Sequence, residues 1–102
     1  MKKYNVGYKT SSEFETLNFV KMITKELILN NFPDAKKLRF SDFMGNDIVL
    51  FESNYYAIEI RTIEEGYLVL MKKFWTRDGV SKIAETADLV IEFINDIFLN
   101  GL

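Results

Sequence analysis

Cysteine and histidine are both absent from the 102 residues, and proline occurs once. The first two absences exclude disulfide frameworks, thiolate or imidazole zinc sites, cysteine nucleophiles and histidine general bases. Five glycines, one proline and 27% charged residues fit neither a collagen-like repeat nor a low-complexity or disordered chain. Long apolar runs are missing as well. The longest is Tyr67 to Met71, far below the ~20 residues of a membrane-spanning helix. Met1-Lys2-Lys3 is basic, but Tyr4 to Lys9 supplies no apolar segment of an export signal. These absences predict a cytoplasmic protein that needs no membrane and no cofactor.

What is present is a 48% apolar content, enough for a core in one domain spanning residues 1–102. The net charge of −2 is unevenly spread. Residues 1–77 carry 12 Lys/Arg against 10 Asp/Glu, whereas residues 78–102 carry one Lys against five carboxylates.

Ser12-Glu13-Phe14-Glu15 has the form of a capping box, and Leu17, Val20, Ile23, Leu27 and Ile28 follow it at helical spacing. Asn30 to Asp34, with Pro33, supplies a stop, so the pattern predicts a helix over 12–31. From Lys36 the period drops to two. Lys37 to Ser41 alternates, Met44 to Asp47 reads as a turn, and Ile48 to Phe51 is rich in strand formers. Tyr55 to Ile63 and Tyr67 to Trp75 form a predicted hairpin through Glu64-Glu65-Gly66, with Gly66 free to take positive φ.

A three-residue loop sets Ile63 against Tyr67 and gathers Tyr56, Ile58, Ile60, Thr62, Leu68, Leu70, Lys72 and Phe74 on the inner face. A two-residue loop shifts the register by one and regroups both faces, with Glu59 then expected opposite Lys72. The first register is preferred because it leaves fewer charges inside.

The last segment is predicted to be helical, from Val80 through Ile83, Ala84, Ala87, Val90, Ile91, Ile94 and Ile97 to Phe98. Asp78 or Ser81 is its expected cap and Asn100-Gly101 its stop. The predicted fold is α+β: a two-layer sandwich with element order α-β-β-β(-β)-α, an antiparallel sheet and both helices on one face. Tyr4, Val6 and Tyr8 are a candidate further edge strand.

Four features bear on function. Glu85, Asp88, Glu92 and Asp96 line up along one side of the expected last helix, with Leu89 and Phe93 beside them. Such a ridge suits a basic partner surface, against the plainer role of a solvated face. Tyr55, Tyr67, Val69, Met71 and Trp75 fall on the outer face of the preferred hairpin register, among Glu59, Arg61 and Lys73. That concentration of large apolar groups predicts a binding surface or a homodimer contact. Lys36, Lys37, Arg39, Lys72, Lys73 and Arg77, with Tyr55, Tyr67 and Trp75, supply the ingredients of a single-strand platform. The negative net charge and the lack of an RNP-like motif argue against nucleic acid as the partner. Asp42, Asp47 and Glu52 lie around a turn but match no calcium loop, and no glycine-rich phosphate loop occurs.

The sequence therefore predicts a small non-enzymatic module that binds another protein through Glu85, Asp88, Leu89, Glu92, Phe93, Asp96, Tyr67, Met71 and Trp75. A single-strand-binding protein and a carboxylate-dependent enzyme are the alternatives. Asn, Lys, Ile, Phe and Tyr total 42 residues, a bias of AT-rich coding DNA that associates the chain with phage or mobile-element accessory inhibitors.

Overall fold

The computed structural model describes residues 22–43 and 46–102. The elements are α1 (Lys25–Asn31), β1 (Lys36–Phe43), β2 (Asn46–Ser53), β3 (Tyr56–Ile63), β4 (Gly66–Lys73), β5 (Gly79–Ala84) and α2 (Ala87–Asn100). All five strands pair antiparallel in chain order, so the sheet is a meander with no crossover. The predicted α+β class holds, with one helix before the sheet and one after it. None of the described helices is long and apolar enough to cross a membrane.

The three later turns of the sheet each have a backbone reason. Asn54 and Tyr55 join β2 to β3 with φ of 52° and 71°, the double left-handed geometry of a type I′ hairpin. Between β3 and β4, Ile63 pairs with Gly66, leaving Glu64 and Glu65 as a two-residue loop. Gly66 takes the positive φ directly after it, at 134°. Beyond β4, the Thr76 hydroxyl donates to the Lys73 carbonyl at 3.1 Å and accepts from the Asp78 amide at 3.0 Å. The Lys73 amide donates to the Asp78 carbonyl, closing this turn.

The two-residue loop overturns the preferred register. Ile60 faces Val69 and Ile58 faces Met71, so Tyr67, Val69 and Met71 join Tyr56, Ile58 and Ile60 on the inner face. Leu68, Leu70 and Lys72 turn outward. One residue of slip exchanges the faces of the whole strand. The expected cross-strand partner of Glu59 is corrected too: it is Leu70, while Lys72 lies opposite Ala57.

The segment from Gly79 to Ala84 is a strand, not the start of the last helix. Its Val80, Ile83 and Ala84 fit a helical stripe in sequence, but β4 offers a complete edge of backbone partners from Tyr67 to Lys72. The helix begins instead at Ala87, where the Thr86 hydroxyl accepts from the Leu89 amide at 3.2 Å. A cap of this kind contributes about 1 kcal/mol. At the other helix, Thr24 caps α1 by accepting from the Leu27 amide at 3.1 Å. Residues 22–24 precede it without helical structure, so the predicted helix over 12–31 is shortened there. The Ser12 capping box and the candidate strand at Tyr4, Val6 and Tyr8 lie outside the described residues.

Both helices cover the inner face. Ile28, Ile58, Ile60, Val69, Met71, Val90 and Ile94 are fully buried between the layers. An aromatic group ties the helix ends to the sheet: Phe32 stacks on Phe51 at 5.6 Å and meets Phe98 edge-on at 5.6 Å. Tyr56 lies 5.9 Å from the same Phe98 ring. Such pairs add about 0.5–1.5 kcal/mol each beyond the area they bury. Buried Ser53 donates to Asp34 Oδ1 at 2.9 Å, fixing the segment after α1 to the end of β2.

Candidate functional site

With both helices on one side, the other face of the sheet has no layer over it among the described residues. Its side chains run in cross-strand rows. One row reads Arg39, Leu50, Glu59, Leu70 and Ser81 across all five strands. The neighbouring row reads Glu52, Ala57, Lys72 and Gly79 across β2 to β5. Together they line a hollow of about 1060 Å³, closed at its end by Arg77 from the β4–β5 turn and by Lys37 from β1.

The hollow has an aliphatic floor and a cationic rim. Its two carboxylates are already occupied. Glu59 accepts from Arg61 Nε at 3.0 Å and also from Arg61 Nη2. Glu52 pairs with Lys37 Nζ at 3.6 Å. Arg39, Lys72 and Arg77 line the hollow, are exposed and have no ion-pair partner among the described residues. Lys37 lies at a bulge in β1, with φ of 56° and a register shift between Lys36 and Arg39. The bulge turns this edge away from regular strand pairing. Of the six basic residues singled out in the sequence, Lys37, Arg39, Lys72 and Arg77 meet at the hollow. Lys36 pairs across from Glu52 at the edge, and Lys73 lies opposite Tyr56 on the helix-side parity.

An aromatic corner adjoins this end. Tyr55 and Trp75 are exposed, Trp75 to 89%, with ring centroids 6.3 Å apart. Phe74 packs against Trp75 at 5.8 Å, and its amide donates to the Tyr55 carbonyl at 2.9 Å. Tyr55 and Trp75 both hold left-handed backbone, at φ of 71° and 61°. That conformation is costly for bulky residues and tends to persist where function uses it.

The remaining partner-binding expectations divide. Tyr67 and Met71 are buried, 8% and 1% exposed, because the two-residue loop points them at the helices; their expected place on an open face is corrected. Glu85 lies in the bend before α2 and is not part of the helix, so the acidic ridge is reduced to Asp88, Glu92 and Asp96, all exposed. Leu89 is exposed beside them. Phe93 is half-buried, with Lys82 Nζ 5.5 Å from its ring centre. This ridge and the hollow occupy opposite sides of the molecule.

The three turn carboxylates do not converge. Asp42 faces Asp47 across the β1–β2 hairpin, whereas Glu52 lies at the far end of β2 with Lys37. No group of three or more acidic, His or Cys side chains among the described residues is placed to hold a metal ion.

Burial pushes the Tyr67 phenol above its ordinary pKa of 10.0. A phenol is charged when deprotonated, so with a raised folded value its contribution to stability is complete below the unfolded pKa. It is lost as pH rises through the folded one. Stability followed by denaturant titration is therefore expected to decline above pH ~10, and Tyr67→Phe to decline less steeply. Equal slopes in the two proteins would contradict this burial.

Sequence reasoning missed the hollow because its floor, Leu50, Ala57 and Leu70, depends on the hairpin register, and the three-residue loop sends Leu70 to the core. Glu64-Glu65-Gly66 fits either loop length, so no local signal chose the register. Comparison of the chain with protein-family models, with curated proteins and with solved structures found no match.

Proposed function

We propose that this chain is a non-enzymatic binding protein that receives a protein partner on the open face of its sheet. The supporting observation is the hollow of about 1060 Å³, where Arg39, Lys72 and Arg77 surround an aliphatic floor without ion-pair partners among the described residues. That volume is at the upper end for small-molecule pockets, which run to about 1,000 Å³ and are more enclosed. Tyr55 and Trp75 are the natural anchors at its edge, since exposed aromatic side chains dominate binding energy where they become buried. A sequence without cysteine or histidine gives the same face few means of making or breaking bonds. The cysteine-free composition also suits a cytoplasmic setting.

Affinity capture from a host lysate tests the reading. Ala57→Trp fills the hollow without changing charge, and it is expected to lower recovery of the principal partner at least ~10-fold, equivalent to about 1.4 kcal/mol. Replacing Asp88, Glu92 and Asp96 by Ser is expected to leave recovery unchanged. The reverse pattern would move the contact to the acidic ridge. Light scattering that shows a dimer dispersed by Ala57→Trp would identify the partner as a second copy.

A further inference from the structure

Building on the sheet-face reading, we infer that the element docking in the hollow is an acidic amphipathic helix. Three observations converge. The floor is aliphatic around one ion-paired carboxylate: Leu50, Ala57 and Leu70 come from the three central strands and carry no ring, and Glu59, between Leu50 and Leu70, is held by Arg61. Sheet platforms for bases stack them on aromatic side chains of the binding face, and the rows that line the hollow carry none: Tyr55 and Trp75 stand in turns, and exposed Phe40 of β1 lies opposite Val49 on the helix-side parity. An aliphatic floor fits Leu and Ile side chains instead.

The cations border that floor, Arg39 beyond Leu50 and Lys72 two residues along β4 from Leu70. Arg39 stands on β1, Lys72 on β4 and Arg77 in the turn leading to β5. With strands ~4.8 Å apart, β1 and β4 are separated by about 14 Å. This spacing admits a helix about 10 Å in diameter. The cations then meet its two sides and call for carboxylates bordering an apolar stripe. Finally, the native carboxylates of the hollow are paired with Lys37 and Arg61, which lowers their repulsion of such a ligand. The volume accommodates about two turns of helix.

Selection from a random 16-residue peptide display library tests the inference with sequences of every charge and pattern. The baits are the wild type, the charge-reversed set R39E/K72E/R77E, the neutral set R39Q/K72Q/R77Q and Ala57→Trp, each checked for native circular dichroism. Peptides enriched on the wild type are expected to be net acidic with apolar residues at helical spacing. Their affinity is expected to fall at least ~10-fold on the charge-reversed set and less on the neutral set. It should also weaken from low to moderate salt. The neutral set keeps the test open if charge reversal disturbs folding.

Neutral or basic peptides that bind the charge-reversed set as well as the wild type, yet fail on Ala57→Trp, would overturn the acidic-helix inference and leave the sheet face standing. Failure to recover any peptide that Ala57→Trp weakens would overturn both. Tighter retention of a 20-residue oligo-dT strand than of any selected peptide, lost on charge reversal, would replace the helix with single-stranded nucleic acid.

Discussion

Gly66→Ala is expected to destabilise the protein by about 3 kcal/mol or more. Two effects coincide. The residue holds φ of 134°, which disfavours any side chain, and a Cβ there would stand 2.5 Å from the Ala84 carbonyl oxygen and 2.8 Å from Glu85 Cα. Both obstacles are backbone, where β5 leaves the sheet and bends toward α2, so relief requires moving that junction. Gly101→Ala separates the two causes, since Gly101 also has positive φ, at 81°, but no atom within 4 Å of the added carbon. Its expected cost is about 1 kcal/mol. Urea denaturation of the two variants measures the contrast, and equal midpoints would show that the close approach at Gly66 is not rigid.

Met71→Ala is expected to cost about 2–5 kcal/mol, the range for deleting a large buried side chain. Met71 is 1% exposed beneath the helices, opposite Val80 and Ile58. Leu70→Ala, one position earlier on the open face, is expected to cost no more than about 1 kcal/mol. The pair decides the register by thermodynamics. If Leu70→Ala proved the more damaging, the sheet would be paired with a three-residue loop and the hollow would not exist. Against a typical total stability of about 5–15 kcal/mol, the Met71 variant loses a large share of its margin.

Much of the architecture was legible from periodicity. Alternation in β1 to β4, the turn residues Asn54 and Gly66 and the helical stripe Val90, Ile91, Ile94 all carry local signals that the tertiary structure keeps. Two readings failed for physical causes. In β5, Val80 and Ala84 share a strand face and, with Ile83, also fit a helical stripe, so the choice fell to the open edge of β4, which a local pattern does not contain. At the β3–β4 hairpin, Gly66 with positive φ fits either loop length, and one residue of slip reassigned Tyr67 and Met71. Of the expected binding residues, Trp75 and the α2 carboxylates are exposed. The basic residues Lys37, Arg39, Lys72 and Arg77 were legible as a set, but their aliphatic setting required the correct register.

The strictly sequential pairing of the sheet bears on how the chain acquires its shape. Each strand zips onto the one synthesised just before it, so ordering can advance during translation without waiting for remote segments, the arrangement that favours rapid folding. The part of the roof that α2 supplies is what arrives late. Between completion of β5 and emergence of α2, Val69, Met71 and Ile58 lack the cover that Val90 and Ile94 later provide. Until then those side chains form an apolar surface of the kind that favours aggregation.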